Sequence, residues 1–576
     1  MSVRQRRSSR SPRAILTALL LVLPLGAGPS AATAAEPFPE HRPATRQEAI
    51  ELFAGLPGSS SVCLTTQLQA LPGPPQRWSL GVRRAVALLQ RPVRPQLDQL
   101  FLGADGARIR YTTGDGAVDR MLPIDADHDG RPDLLQATAS GLRDARRLFV
   151  ERLQLAGPEL LEVLHLDLGG TPSGYTIPGT AWNGRAHTTV VLEARPAGGP
   201  DSARRAAIHQ YAHAVALATH PELPVEWGEA LATWATLTLD GMPDAETAAR
   251  LAHRLERLDA GLASTDLTLA AGGAAWLAFV EQAHGPAALR LTIDELARPE
   301  ATVADALDRA LRSASDDDLA AAFREFHLWS ILIGQRADRF HFPFADQLPT
   351  PGFVSTAEGL PALSVQADPA VAPWGATQVR IRPDRVADPE RNGGMHVHFE
   401  GEFTARWEAD LILVGDDGTR RRLALDFSPE GRAEATVPLG GLAEALLLVR
   451  NVTDDGSPRR YSYAVHRERG YPFEMASFEA LAADDPTQGV IVSWETASEQ
   501  ELVGFNILRV REEGGSEVVV NPVWIPGLGD ASNATAYQYL DRGADPDTSY
   551  VYRIQGITRL GLTALSDPVT LRRPRQ

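Results

Sequence analysis

The apolar positions change their period along the 576-residue chain. Residues 116–345 hold two short apolar strands, followed by segments in which apolar residues recur every three or four positions, the period of a helix. Residues 376–472 and 473–576 instead hold short alternating strands separated by turn residues, the signature of a β-sandwich. We therefore expect a multidomain protein in which an α/β domain precedes two all-β sandwich domains.

Three further segments complete the predicted organisation. Residues 36–115 mix helix and loop and suggest no role. Residues 346–375 are rich in proline, glycine and alanine and are predicted to be a linker. Residues 1–35 combine an arginine-rich start, an apolar stretch too short for a membrane span and an Ala-x-Ala-like cleavage site. This last pattern predicts a signal peptide, a secreted protein (periplasm, cell surface or medium) and a mature chain without a transmembrane segment.

The composition excludes several classes of function. All 56 basic residues are arginines, so chemistry that needs a lysine, such as a Walker phosphate loop or a Schiff base, is excluded. The formal net charge of -17, without any basic tract, argues against nucleic acid as a partner. The only cysteine, Cys63, cannot form an internal disulfide, and we expect a buried or inert thiol instead of a nucleophile.

Two histidines in the predicted helix at 203–219 have the spacing of metal ligands. His209 and His213 are four residues apart, on one helix face, so both imidazoles can reach one ion. A turn and a second helix would bring the carboxylate of Glu229 to the same place. Two imidazoles and one carboxylate leave a fourth position open, as in catalytic zinc sites. The alternative is a helix with incidental histidines, but the nearby carboxylate favours zinc.

The sequence around these residues resembles that of a known family. HQYAH at 209–213, followed by WGEALATW at 227–234, is similar to the HExxH…E pair of gluzincin metallopeptidases. More narrowly, the chain resembles a family of exported bacterial metalloproteases, which share an aspartate-rich loop like 125–133, an SGYT element like 173–176 and a fibronectin type III-like tail like 473–576. The resemblance implies a zincin-like fold for residues 116–345, Zn²⁺ as the cofactor, and His209, His213 and Glu229 as its ligands.

Gln210 departs from that family. HExxH enzymes have a glutamate here, which accepts a proton from the attacking water and passes it to the leaving amine. General acid–base catalysis typically contributes about 10²- to 10⁴-fold, or roughly 3–5.5 kcal/mol. We therefore expect a zinc-binding pseudopeptidase that binds a protein or peptide ligand.

Two alternatives remain open. The first is an active zinc metalloprotease that uses another base, for which Glu226 is the nearest candidate in the sequence. The second is a metal-free surface adhesion or scaffold protein. In either case the C-terminal domains are candidates for contacts with cell-surface proteins or glycans.

A calcium site is predicted upstream of the histidines, because this loop follows the first part of an EF-hand pattern. Its expected ligands are Asp125, Asp127, Asp129, the backbone carbonyl of Arg131, and Asp133. Gly130 permits the sharp turn, whereas Gln136 replaces the bidentate glutamate of the twelfth position, so a modest affinity for Ca²⁺ is expected. The alternative is an acidic turn that caps the next helix.

Overall fold

The computed structural model describes residues 43–54, 63–71, 78–90, 97–103, 106–180, 186–384, 393–454, 456–468, 470–483, 488–530, 533–545 and 548–571. The predicted signal peptide at 1–35 lies outside these residues. In the described part of the chain, no helix is both long and apolar enough to cross a bilayer. The protein is multidomain, with helices concentrated in its N-terminal part and sheets in its C-terminal part.

A five-stranded sheet organises the N-terminal part. Its strands are β1 (Gln99–Leu102), β2 (Arg108–Tyr111), β3 (Leu161–Leu166), β4 (Gly174–Thr180) and β5 (Ala186–Glu193). Their spatial order is β1-β2-β3-β5-β4. Strands β2, β3 and β5 run parallel, whereas β1 and β4 run antiparallel to their neighbours at the two edges. The edge formed by β4 lies next to the predicted metal ligands.

Twelve helices are defined among the described residues, and most follow the sheet. They are α1 (Arg46–Ala54), α2 (Thr65–Gln69), α3 (Leu80–Gln90), α4 (Asp133–Arg146), α5 (Gly199–Thr219), α6 (Val225–Asp240), α7 (Ala245–Glu256), α8 (Leu267–Ala270), α9 (Ala274–His284), α10 (Pro286–Leu296), α11 (Val303–Ala314) and α12 (Leu319–Ile331). Helices α5 and α6 are apolar on nearly every face, which is typical of helices inside a core.

The sheet is buried on both faces by helices. Alternate residues of β3 and β5, such as Val163 and Val190, belong to the core that contains α5 and α6. Their neighbours Leu164 and Val191 belong to a second core shared with α1 and α3. The described residues between 43 and 115 therefore belong to this unit, because their helices and first strands share its two cores.

The next unit contains two sheets. Its strands are β6 (Ser355–Glu358), β7 (Ala362–Gln366), β8 (Gly375–Arg382), β9 (Gly394–Gly401), β10 (Trp407–Gly415), β11 (Arg420–Ala424), β12 (Arg432–Pro438), β13 (Leu442–Asn451) and β14 (Tyr461–Glu468). Five form the sheet β11-β10-β13-β8-β6, and four form β12-β9-β14-β7. Apolar residues of both sheets share one core, which is consistent with a β-sandwich.

The segment 346–375 differs from the predicted linker. It supplies one edge strand to each sheet, because β6 pairs with β8 and β7 pairs with β14. These strands have only four and five residues, and neighbouring prolines and glycines hide them in the sequence pattern.

The last unit is also built from strands. They are β15 (Phe473–Ala482), β16 (Val490–Glu499), β17 (Leu502–Arg511), β18 (Val518–Val519), β19 (Ile525–Pro526), β20 (Thr535–Asp541), β21 (Tyr550–Thr558), β22 (Thr563–Leu565) and β23 (Val569–Thr570). Three form the sheet β15-β16-β20, and the others gather around β17 and β21. Trp494 and Tyr552 lie in the core between the two sheets.

Candidate metal centre

Helices α5 and α6 bring the three predicted zinc ligands together. His209 and His213 lie one turn apart on α5, and their ring centroids are 5.0 Å apart. After a short connection, α6 begins at Val225 and carries Glu229 towards the same place. All three side chains are almost completely buried.

The distances within the site are those of converging ligands. Nε2 of His213 lies 3.3 Å from one carboxylate oxygen of Glu229, and Nε2 of His209 lies 3.7 Å from the other. Nε2 of His209 is buried and has no hydrogen-bond partner among the described residues. A buried imidazole nitrogen without a partner is costly unless something occupies the space it faces. These donors therefore fit a cation.

Cys63 is a fourth member of this cluster, which sequence reasoning missed. One ligand atom from each of Cys63, His209, His213 and Glu229 lies within 4.8 Å of all the others. Sγ of Cys63 is 3.3 Å from Nε2 of His213. The prediction of a buried thiol is confirmed. Its sulfur lies against a predicted metal ligand, a contact that sequence reasoning did not predict.

The ionisable side chains of the cluster favour their charged forms in spite of burial. Burial raises the pKa of Cys63, but the adjacent His213 and His209 together outweigh that effect and bring the pKa down to about 5. Burial also opposes a charge on His209, yet Glu229 raises its pKa to about 10. The two histidines hold the pKa of Glu229 well below its usual range, against the effect of burial. The cluster therefore combines two acidic and two basic groups whose charges balance.

Gln210 is part of the same buried network. Its Oε1 accepts hydrogen bonds from the hydroxyl groups of Thr65, at 3.0 Å, and Thr176, at 2.7 Å. Its Nε2 donates to Sγ of Cys63 at 3.2 Å. These contacts fix the amide, with its NH₂ group towards the sulfur. The structure thus places Gln210 beside the cluster, as a polar neighbour.

Gly174 permits the close approach of β4 to α5. A Cβ atom at Gly174 would lie 2.5 Å from the carbonyl oxygen of Val191 and 3.2 Å from Cγ of Gln210. A larger residue would clash with the backbone of the neighbouring strand β5 and would also crowd the side chain of Gln210 on α5. This glycine belongs to the SGYT element, whose part in the site was not visible in the sequence alone.

A cavity of about 120 Å³ borders His209 and Glu229 on the side away from Cys63. Arg205, Ser173 and Arg250 also line it. Since one water molecule takes about 30 Å³, the cavity holds roughly four, and it is smaller than the ~300–1,000 Å³ of typical ligand pockets. Water or a small ion can therefore reach this side of the cluster.

Glu226, the alternative catalytic base, lies elsewhere. It lines a different cavity, together with Trp227 and Trp276, and burial raises its pKa. His220 is also outside the cluster, because it follows the last residue of α5 and its Nε2 lies 2.9 Å from a carboxylate oxygen of Asp294.

The predicted calcium loop brings together three carboxylates. Oxygens of Asp125, Asp127 and Asp133 lie within 4.8 Å of one another, whereas Asp129 is not part of this set. Asp129 instead accepts hydrogen bonds from the backbone N–H of Arg131 and from the side chain of Gln136. The loop is largely exposed, so its contacts are compatible with both a weak cation site and an acidic turn.

Comparisons with known proteins do not assign a family. No protein-family model and no curated protein sequence matches the chain. An Fn3-like protein from Clostridium thermocellum matches 18% of this chain and 94% of its own length, with 19% identity and a TM-score of 0.13. A beta-1,2-glucanase from Parabacteroides distasonis matches 37% of this chain and 33% of its own, with 12% identity and a TM-score of 0.15. The adhesin domain of Epf from Streptococcus pyogenes matches 37% of this chain and 78% of its own length, with 9% identity and a TM-score of 0.15. TM-scores this low do not establish a shared fold.

Proposed function

We propose that this protein is an exported, zinc-binding pseudopeptidase, in which a zincin-like domain holds the ion without cleaving peptides efficiently. The observation that carries the proposal is the convergence of His209, His213 and Glu229 in a buried cluster beside Gln210. Imidazole, carboxylate and thiolate donors are those that Zn²⁺ prefers. A zinc ion bound there supplies Lewis acidity to the site.

The charge of the cluster is compatible with a divalent cation. A thiolate and a carboxylate together carry two negative charges, which balance Zn²⁺ when both imidazoles are neutral. A buried site of zero net charge avoids the large desolvation penalty of an unpaired ion. The partnerless Nε2 of His209 then gains a partner.

The surroundings of Gln210 support a loss of catalysis. Its amide oxygen already accepts two hydroxyl hydrogen bonds, and an amide takes up no proton near neutral pH. Glu226 does not replace it, because it lines the other cavity. These features favour the pseudopeptidase over an active peptidase that uses another base.

The C-terminal units are proposed to bind a protein or glycan partner at the cell surface or outside the cell. Around β18 and β19, Val519, Val523, Trp524 and Leu528 are each at least half exposed. Exposed apolar side chains that lie close together often mark an interaction surface.

Metal analysis of the purified mature protein, together with a peptidase assay, tests this proposal. We expect an equimolar amount of zinc and little hydrolysis of an unstructured peptide. His213→Ala should lose the zinc, whereas the matched control His220→Ala, at the end of the same helix, should keep it. Equimolar zinc with efficient cleavage would favour the active peptidase, and the absence of metal from the wild type would favour the metal-free scaffold.

A further inference from the structure

Cys63 approaches the metal cluster from a part of the chain far from the other ligands. It lies 150 residues before His213, yet its sulfur is 3.3 Å from Nε2 of that histidine. The side chain is completely buried. Its backbone neighbour Thr65 donates an N–H hydrogen bond to the sulfur at 3.2 Å, and Gln210 donates a second one at the same distance. Two N–H donors aimed at one sulfur are typical of a thiolate that serves as a ligand.

The residues that follow Cys63 are also bound to the site. We call residues 63–69 the closing segment. The hydroxyl group of Thr66 donates to the carboxylate of Glu229 at 2.6 Å, and that of Thr65 donates to Gln210 at 3.0 Å. The segment therefore contacts one predicted ligand and the residue that separates this chain from active peptidases.

The closing segment occupies the free edge of the sheet. The N–H of Leu64 donates to the carbonyl oxygen of Gly174 at 3.2 Å, and Cys63 pairs in parallel with Gly174 on β4. The N–H of Thr176 donates to the hydroxyl of Thr65 at 2.9 Å. An unpaired sheet edge is where an extended peptide can add as a further strand. Here Cys63, at the start of the closing segment, pairs with that edge through a single bridge, and helix α2 follows it.

We propose that Cys63 is the fourth ligand of the metal site, and that the closing segment thereby seals the cleft against peptides. This inference rests on the proposed zinc binding by His209, His213 and Glu229. Four protein ligands complete a tetrahedral zinc site and leave no open position, which is the property of structural rather than catalytic sites.

The identity of residue 210 fits the same inference. A glutamine side chain can donate a hydrogen bond to a ligating sulfur, whereas a glutamate would place a second negative charge 3.2 Å from it. Gln210 and Cys63 therefore form a matched pair, in which the amide stabilises the thiolate. The loss of the catalytic glutamate and the presence of the cysteine have one common explanation, a closed site.

Cobalt substitution of the full-length mature protein tests the ligand. The protein is stripped of metal with a chelator and reloaded with Co²⁺, whose bond to a thiolate gives a charge-transfer absorption in the near ultraviolet. We expect this absorption in the wild type and in His220→Ala, which keeps all four ligands and changes a side chain outside the cluster. In Cys63→Ser the absorption should disappear. Cobalt bound to the wild type without the thiolate absorption would overturn this inference and leave the proposed zinc site intact, whereas failure to bind Co²⁺ or Zn²⁺ would reject both.

Thiol reactivity provides a test that needs no variant. Because Cys63 is the only cysteine, reaction with a chromogenic disulfide reports on this site alone. We expect zinc to slow the reaction by an order of magnitude or more relative to the chelated protein, since the ligated sulfur is no longer free to attack. Hydrogen exchange of the peptide that contains Leu64 should slow in parallel. Equal thiol reactivity with and without zinc would overturn the role of Cys63 as a ligand.

Discussion

Replacing Gln210 with glutamate should weaken zinc binding, because the negative charge of the new side chain repels the thiolate that the amide stabilises. The substitution preserves the shape of the side chain and the two hydrogen bonds that Oε1 accepts from Thr65 and Thr176. It removes the hydrogen bond from Nε2 to Sγ of Cys63, at 3.2 Å, and places a carboxylate oxygen there instead.

The size of this effect follows from these contacts. A hydrogen bond to a charged group contributes about 1.5–3 kcal/mol. Two like charges about 4 Å apart repel by about 4 kcal/mol at an effective dielectric constant of about 20. The bound cation offsets much of this repulsion, so we expect a net loss of about 2–3 kcal/mol. This corresponds to zinc affinity that is about 30- to 150-fold weaker.

Competition with a chelating indicator measures the affinities of the wild type, Gln210→Glu, Cys63→Ser and the double variant. The four values form a double-mutant cycle. In the Cys63→Ser background the loss of zinc-binding free energy caused by Gln210→Glu should fall below about 1 kcal/mol, because no thiolate remains for the glutamate to repel. If the glutamate weakens zinc binding equally in both backgrounds, or not at all, the pairing of Gln210 with Cys63 is refuted.

The same substitution restores the missing base once the cleft is open. In a Cys63→Ala background, Gln210→Glu should increase hydrolysis of an unstructured peptide by about 10²-fold or more over the wild type. Gln210→Glu alone should remain far less active, since Cys63 still closes the site. An inert double variant that retains zinc would show that the cleft has also lost its peptide-binding contacts.

Three other predictions concern the rest of the molecule. Burial lowers the pKa of His165 to about 4, so the wild type should lose stability as the pH falls below about 6.5 towards 4. His165→Gln should lose less stability over this range. If the melting temperatures of the two proteins fall equally with pH, the argument is contradicted. Added Ca²⁺ should raise the melting temperature of the wild type and of Asp129→Ala but not that of Asp127→Ala. If Ca²⁺ does not change the melting temperature of the wild type, the loop is only an acidic turn. A fragment of residues 470–576 should unfold cooperatively, because the core of this unit consists of its own residues, whereas a disordered circular dichroism spectrum would contradict this boundary.

Periodic patterns predicted much of the framework. The helical period predicted after the two strands of residues 116–345 is found in the structure as helices α5 to α12. The same helical period placed His209 and His213 on one face, where they lie. Very short strands escaped detection, because four residues such as Ser355–Glu358 are too few to establish alternation.

The rest of the site could not be predicted from local pattern. A single cysteine has no spacing to interpret, and Cys63 reaches its partners only through the fold. Thr65 and Thr176 are common residue types whose role depends on meeting Gln210 from two different segments. A glycine within a strand, such as Gly174, often marks a close approach of another backbone or side chain, but the sequence alone does not say which one.

The distance in sequence between Cys63 and its partners also dictates when the site can form. Thr66 and Glu229, which hydrogen-bond in the folded protein, are 163 residues apart in the chain. The chain is synthesised from its N-terminus, so the closing segment is made before the residues that it binds. It therefore has no binding partner until the sheet and both α5 and α6 have formed. Contacts over so long a separation form late in folding, because loop closure must precede them. Under the proposed function, an ion met earlier finds the thiol, the two histidines and the carboxylate apart from one another, so complete metal loading becomes a sign that the whole N-terminal unit has folded.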